Sequence, residues 1–342
     1  ARMLSLQADL VVANHSTVLW ETGSNSVALP PYRNIIFDEA HNLENVATDA
    51  FSFEAAASQM HGALMRLFRG RADGAGRGLL SSLRHHLSRA ARAKGGHEGE
   101  SISNRITALI ESFGGIRDAS DRFYLAVGGL FADVRRGVEQ LRYDADHRPE
   151  DWPALMNEGR EFRSVVVKLA DDIDALCRAC DALAESHGEE EAFEDLAETA
   201  AELGSQGMSL REWLERFDSL MKAESDNLVF WAQRDTRAGF GRLCAAPLDI
   251  APMMEQMIFS RVRSAVFASA TMAAGRSFEF MRERLGVRGV VSSRVREIDL
   301  GTSFDFPSQV LLAAPIFLPE PRGDGESFVA SSSGRRPMCL KA

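Results

Sequence analysis

Asp38-Glu39-Ala40-His41 puts two carboxylates and an imidazole within one turn of chain, directly after the apolar run Asn34-Ile35-Ile36-Phe37. Hydrolysis of a nucleoside triphosphate needs a divalent cation near the β and γ phosphates and a group that positions and deprotonates a water for in-line attack. Two adjacent carboxylates at the end of a buried strand meet both needs. The first can hold Mg²⁺, commonly through water because that ion gives up its hydration shell reluctantly, and the second can act on the attacking water. Asp38 and Glu39 suit those roles in that order, and His41 is placed to couple the site to a neighbouring part of the protein. The bland alternative is that Asp38 caps a helix starting near Ala40, with Glu39 beside its positive end. A second string weighs against it: Ser269-Ala270-Thr271 closes another apolar run, Arg263 to Ala268, and small hydroxyls there can bond the acidic pair or a phosphate.

These strings need strands to carry them. Ala8 to Asn14, Asn34 to Phe37 and Arg263 to Ala268 have the compact, β-branched content of strands buried on both faces, and open α/β sheets place their ligands at the carboxyl ends of such strands. Between Phe51 and Lys222 the pattern is helical. Phe162, Val166, Leu169, Ile173, Leu176, Cys180 and Leu183 follow a 4,3 spacing that makes one continuous apolar seam. Ile116, Phe123, Val127, Leu130, Val134 and Leu141 predict a second helix, and Leu210, Trp213, Leu214, Phe217 and Met221 a third, with Pro149, Trp152 and Pro153 breaking the chain between the first two. Strand patterns return at Asn227 to Ala232 and Arg263 to Ala268, a Met-rich helix at Leu248 to Phe259, and a helix from Ser277 to Leu285 stopped by Gly286. The expected fold class is α/β, one parallel-sheet domain split in sequence by an all-α insert.

Composition bounds the possibilities. The chain has 342 residues, 45% hydrophobic and 26% charged, with a net charge of −10, which excludes wholesale disorder and suits roughly two domains. No apolar run reaches the roughly 18 residues of a membrane helix, the first residues lack the features of a secretion signal, and four cysteines are too few for a disulfide scaffold; a cytoplasmic, monomeric protein is expected. Its only lysines are Lys94, Lys168, Lys222 and Lys341, and none follows a glycine. No G-x-x-x-x-G-K-[ST] phosphate loop therefore exists in these residues.

ADLVVANHS (Ala8 to Ser16) followed by IIFDEAHNLENVA (Ile35 to Ala47) resembles the DinG and XPD type of superfamily 2 DNA helicases, whose second helicase motif is D-E-A-H. The agreement continues in order through CAAPLDIAP (Cys244 to Pro252), SAVFASATM (Ser264 to Met272), FMRERLGV (Phe280 to Val287) and GTSFDFPSQVLLAAPIFLPEP (Gly301 to Pro321). The resemblance implies a RecA-like motor domain interrupted by an arch-like helical insert, with ATP and Mg²⁺ as cofactors and single-stranded or forked DNA as partner. It implies Mg²⁺ on Asp38, a catalytic base in Glu39, and coupling of hydrolysis to DNA movement by His41, Ser269 and Thr271. The expected division is 1–52 and 223–322 for two parts of the first motor domain, 53–222 for the insert, and 323–342 for the start of a second motor domain or an aberrant tail. The family's phosphate loop and its iron–sulfur cysteines precede the ADLVV string, so the chain is expected to be an internal piece of a longer helicase. Any cluster would belong to the parent, because no ligands for it stand in this chain.

Candidate nucleic-acid contacts are Asn14, His15, Arg66, Arg69 and Arg71. The last three open a block from Arg66 to Lys94 with eight basic residues against Asp73 alone, a source of salt-dependent phosphate binding or a solvated loop. Asp181 to Glu202 has nine acidic residues and no Lys or Arg. Cys177-x-x-Cys180 lacks a second ligand pair for zinc, and Cys180 falls in the apolar seam, so a buried small hydrophobe is the better reading. The competing functional class is a non-catalytic helical module that binds DNA or protein beside a vestigial D-E-A-H strand.

Overall fold

The computed structural model describes residues 5–23, 29–70, 76–94, 97–132, 139–186, 191–235, 239–275, 277–288, 290, 294–301 and 305–310. Arg71, Val134, Cys339, most of Gly301 to Pro321 and the whole 323–342 segment lie outside those residues. The chain is mixed α/β: the described residues form many helices, one parallel strand pair and one antiparallel sheet. It divides into two compact units, Ala1–Arg294 and Val295–Ala342. The described part of the second holds one short helix, Phe306–Gln309, opened by the Ser308 and Gln309 N–H groups donating to the Asp305 carbonyl at 3.2 and 2.9 Å.

The first unit contains two apolar cores, one nested inside the other in sequence. The larger runs from Ala55 to Ala245. It is built from α3 (Ala57–Leu67), α4 (Leu79–Lys94), α5 (His97–Gly129), α6 (Trp152–Glu185) and α7 (Glu191–Lys222), which follow α1 (His15–Gly23) and α2 (Leu43–Phe51). All seven seam residues of α6, Phe162 through Leu183, are buried, as their spacing requires. Trp152 begins α6 and Pro153 sits in its first turn, where a missing N–H costs nothing. The second predicted helix is shorter than its apolar run. It ends at Gly129, and Leu141 lies instead in strand β3 (Gln140–Tyr143), which follows β1 (Asn34–Phe37) and β2 (Phe53–Ala55). Near its end, a Cβ at Gly128 would stand 1.9 Å from the Gly239 carbonyl, so only glycine allows this approach of backbone to backbone.

That sheet has the order β2-β5-β4-β3, with β4 (Leu228–Arg234) and β5 (Gly241–Pro247) pairing antiparallel. The Asn227 to Ala232 strand is present, yet it belongs to the larger core, which ends at Ala245; the smaller core resumes only at Ile250. Arg242 ties β5 to Glu54 of β2 at 3.1 Å, across 188 residues of sequence.

The smaller core joins Val18 to Phe51 with Ile250 to Leu285. Its frame is β1 pairing parallel with β6 (Ser264–Phe267), Asn34 opposite Ser264 and Phe37 opposite Phe267. The Met-rich segment forms α8 (Ala251–Met254) and continues as a π-turn to Phe259. Two expectations differ here. Ala8 to Asn14 is not a strand but exposed, irregular chain, with Leu10 78% and Val12 90% exposed: apolar content makes a strand only where a neighbour supplies ladder partners. The strands that do form are buried on one side only, since Ile36 is 70% and Val266 49% exposed.

α9 (Glu279–Arg284) stops at Gly286 as its sequence predicts. Gly286 has φ +76°, its N–H donates to the Glu283 carbonyl, and the Val287 N–H donates to the Arg282 carbonyl at 2.8 Å, a Schellman closure. A Cβ there would also stand 2.4 Å from the Ala251 carbonyl. Gly286→Ala is therefore expected to destabilise the protein by at least about 1–2 kcal/mol, read as a lower urea midpoint. An unchanged midpoint would contradict the closure.

Candidate functional site

Parallel pairing decides what the two sequence strings can do together. Because Phe37 is opposite Phe267, both strands end at the same edge, and the ladder runs one step further: the Ala268 N–H donates to the Phe37 carbonyl and the Ala40 N–H to the Ala268 carbonyl, each at 2.9 Å. The rings of Phe37 and Phe267 stack beneath this edge at 5.5 Å, and His15 meets Phe37 edge-on at 5.7 Å. Asp38 to His41 and Ser269 to Thr271 consequently leave the sheet side by side.

Glu39 adopts φ 48°, ψ 44°, in the left-handed region. That geometry costs a non-glycine residue roughly 1–2 kcal/mol and is typical of functional turns. Asp38 steadies it, its Oδ1 accepting the Glu39 N–H at 3.0 Å. Ala40–Asn42 then forms a single 3-10 turn with Ala40 fully buried, which pins the backbone between the two carboxylates and the imidazole. Asp38 thus bonds the turn beside it rather than the first turn of α2, which begins only at Leu43. His41 Nδ1 lies 2.8 Å from Ser269 Oγ and 3.2 Å from Glu39 Oε2. The Ser269 contact is a hydrogen bond, and the Glu39 carboxylate stands beside the same ring nitrogen. The Thr271 N–H donates to Ser269 Oγ at 3.3 Å. Glu39, His41, Ser269 and Thr271 thereby form one line of polar contacts, hydrogen-bonded from His41 through Ser269 to Thr271, with Asp38 at its open end.

Sequence reasoning missed the tie behind this line. Arg284 of α9 pairs with Glu44 in the first turn of α2, and that bond raises the arginine's pKa. No periodicity marks either residue. The pair fixes the helix that follows His41 to the segment that follows Thr271.

The remaining candidates are dispersed. Asn14 caps α1, its Oδ1 accepting the Thr17 N–H at 2.8 Å. Arg66 ends α3 and donates to Gln206 at 3.3 Å; Arg69 is exposed and its backbone bridges that of Arg77. Arg71 lies outside the described residues. The basic block is helical over α4, and it meets the acidic block directly: Arg89 bonds Asp195 of α7 at 2.7 Å. Burial pushes the Cys177 thiol up to about 11 and that of Cys180 to about 12. Neither is a thiolate near neutrality, and no group of three potential metal ligands exists among the described residues.

The class defined so far is a mixed α/β protein whose parallel strands deliver an acidic pair, an imidazole and two hydroxyls to one edge. Comparison with known proteins narrows it. Residues 1–60 match the DEAD_2 family model. The chain is 25% identical over 321 residues to the 3'-5' exonuclease DinG of Bacillus subtilis, covering 91% of this chain and 32% of that protein. It is 25% identical over 328 residues to the ATP-dependent DNA helicase DinG of Photobacterium profundum, covering 93% and 43%, and 24% identical over 324 residues to the ATP-dependent DNA helicase YoaA of Haemophilus influenzae, covering 93% and 40%. The chain thus spans about a third to two-fifths of the length of these relatives. Its resemblance to DinG-type helicases extends over nine-tenths of its own length. Among the described residues no helix is long and apolar enough to cross a membrane.

Proposed function

We propose that the chain carries the Mg-ATP-handling and coupling residues of an ATP-dependent DNA helicase that moves along single-stranded DNA. The supporting observation is the bond between His41 and Ser269, 228 residues apart, at the common edge of β1 and β6. In this reading 1–52 and the segment returning after the antiparallel sheet are parts of one RecA-like motor domain, and the helical core between them is its arch-like insert.

The residues fit a metal held through water. Asp38 is exposed, and among the described residues its carboxylate accepts one hydrogen bond, from the Glu39 N–H to Oδ1; one or two carboxylates are the usual protein share of a hydrated Mg²⁺. Mg-ATP supplies the electrophilic phosphoryl group and the charge neutralisation around it. Asp38 would anchor the ion's water shell. Glu39, aimed by its left-handed turn, would orient a water and take its proton. His41 would transmit the state of Glu39 to Ser269 and Thr271, and so to β6 and the chain beyond it.

The test is a chimera in which residues 5–321 replace the matching segment of the Photobacterium relative. ATP hydrolysis stimulated by single-stranded DNA, lost in Asp38→Asn, is the expected result. A folded chimera that binds DNA but never hydrolyses ATP would favour the vestigial-strand alternative.

A further inference from the structure

A cleft of about 100 Å³ opens between α3 and α7, in the helical core and away from the Asp38–His41 edge. Its lining includes the buried Met60 and Leu67, the half-buried Trp213 and Gln206, and, at the rim, the exposed Gln59 and Arg66. Its size is informative. Sites for whole nucleotides or cofactors run to roughly 300–1,000 Å³, whereas a cavity of about 150 Å³ accommodates a benzene ring. At about 100 Å³ this open cleft is smaller than either, so it takes no whole nucleotide and at most one planar ring that stays partly outside it.

Its chemistry narrows the ring. Trp213 is held rigidly: its indole stacks on Phe217 at 5.1 Å, meets Phe162 edge-on at 5.5 Å, and donates from Nε1 to Gln59 Oε1 at 3.2 Å. Gln206 Oε1 accepts from Arg66 Nε at 3.3 Å. The amide nitrogens of Gln59 and Gln206, and the terminal guanidinium nitrogens of Arg66, have no hydrogen-bond acceptor among the described residues. A rigid aromatic wall, two carboxamides and an arginine match a nucleobase with its phosphate: stacking for the ring, amide donors for its carbonyl edge, guanidinium for the backbone anion. Arg66, at the rim, and the nearby Arg69 are both exposed, while Arg89 further along the same basic block is already paired with Asp195; the charge available to a polyanion at the cleft is therefore that of its own arginines.

We infer that this cleft seats a single pyrimidine-sized base of single-stranded DNA, with Arg66 on its phosphate. The inference takes its polymer from the helicase reading but does not depend on the Asp38–His41 edge.

Fluorescence anisotropy of the full chain with labelled oligo-dT and with an abasic oligonucleotide of equal length tests it. Stacking contributes about 1–3 kcal/mol per base, so the chain should prefer oligo-dT by about tenfold. Trp213→Ala should erase the preference, Trp213→Phe should keep most of it, and Arg66→Ala should weaken both ligands and flatten the salt dependence. Because Trp213 also packs on Phe217, Gln206→Ala is the second variant, expected to cut the preference severalfold without disturbing the helical circular dichroism. Equal wild-type affinity for the two oligonucleotides, or an undiminished preference in Trp213→Ala or Gln206→Ala, overturns the cleft while leaving DNA binding intact. No binding of either oligonucleotide overturns both the cleft and the DNA reading.

Discussion

Given Mg-ATP and single-stranded DNA, the 342-residue chain by itself is expected to release phosphate no faster than buffer. Phosphoryl transfer relies almost entirely on positioning and charge stabilisation, and the chain has four lysines, none after a glycine. Asp38 and Glu39 can address a metal and a water, yet no phosphate-loop lysine or glycine-rich cradle among these residues holds the γ phosphate in line with them. In the chimera, where the relative's remaining segments are present, Glu39→Gln should lower the DNA-stimulated rate by about a hundredfold or more, the usual worth of a positioned general base. ATP affinity should change little, because the amide keeps the side chain's size and can keep its place 3.2 Å from His41. Phosphate release measured with a coupled assay decides both points. Robust turnover by the chain alone that disappears in Glu39→Gln would show another group doing the lysine's task and would overturn the argument.

Phe162→Ala is expected to cost about 3–5 kcal/mol, the range for emptying a fully enclosed aromatic position. Phe162 has no exposed surface and touches the rings of Phe123, Tyr124, Trp213 and Phe217, with centroids 5.5 to 5.8 Å away. Three long helices meet on it, so the void cannot be closed by moving one of them. Met254→Ala, in the smaller core and also unexposed, should cost about 2–5 kcal/mol. The two cores share no buried residue, so the losses should add in the double variant to within about 0.5 kcal/mol. Urea unfolding followed by circular dichroism measures all three. A coupling energy well beyond that margin would show that the two sites are energetically linked and overturn the separation of the cores.

Features contiguous in sequence were readable and the rest were not. The α6 seam is legible because a repeating 4,3 spacing has one physical solution, a helix with a single buried stripe. Gly286 is legible because only glycine takes a positive φ cheaply. β2, β3 and β5 carry no such signal: β2 has three residues and β3 four, too few for alternation to stand out, and their pairing energy comes from partners far away in sequence. Ala8 to Asn14 shows the converse, since its strand-like composition leads to exposed chain where no ladder partner is described.

The sequence by itself determined the chemistry on offer at the site: two carboxylates, an imidazole and two hydroxyls, each ending an apolar run, in a chain whose lysines cannot form a phosphate loop. Whether those groups meet was decided by the tertiary structure alone. Parallel register sets Phe37 against Phe267 and so brings His41 to Ser269, and the buried Ala40 holds Glu39 in its left-handed turn. A hydrogen bond across 228 residues depends on strand register, and register is fixed by which faces are buried and which backbone groups find partners, not by any local run of side chains.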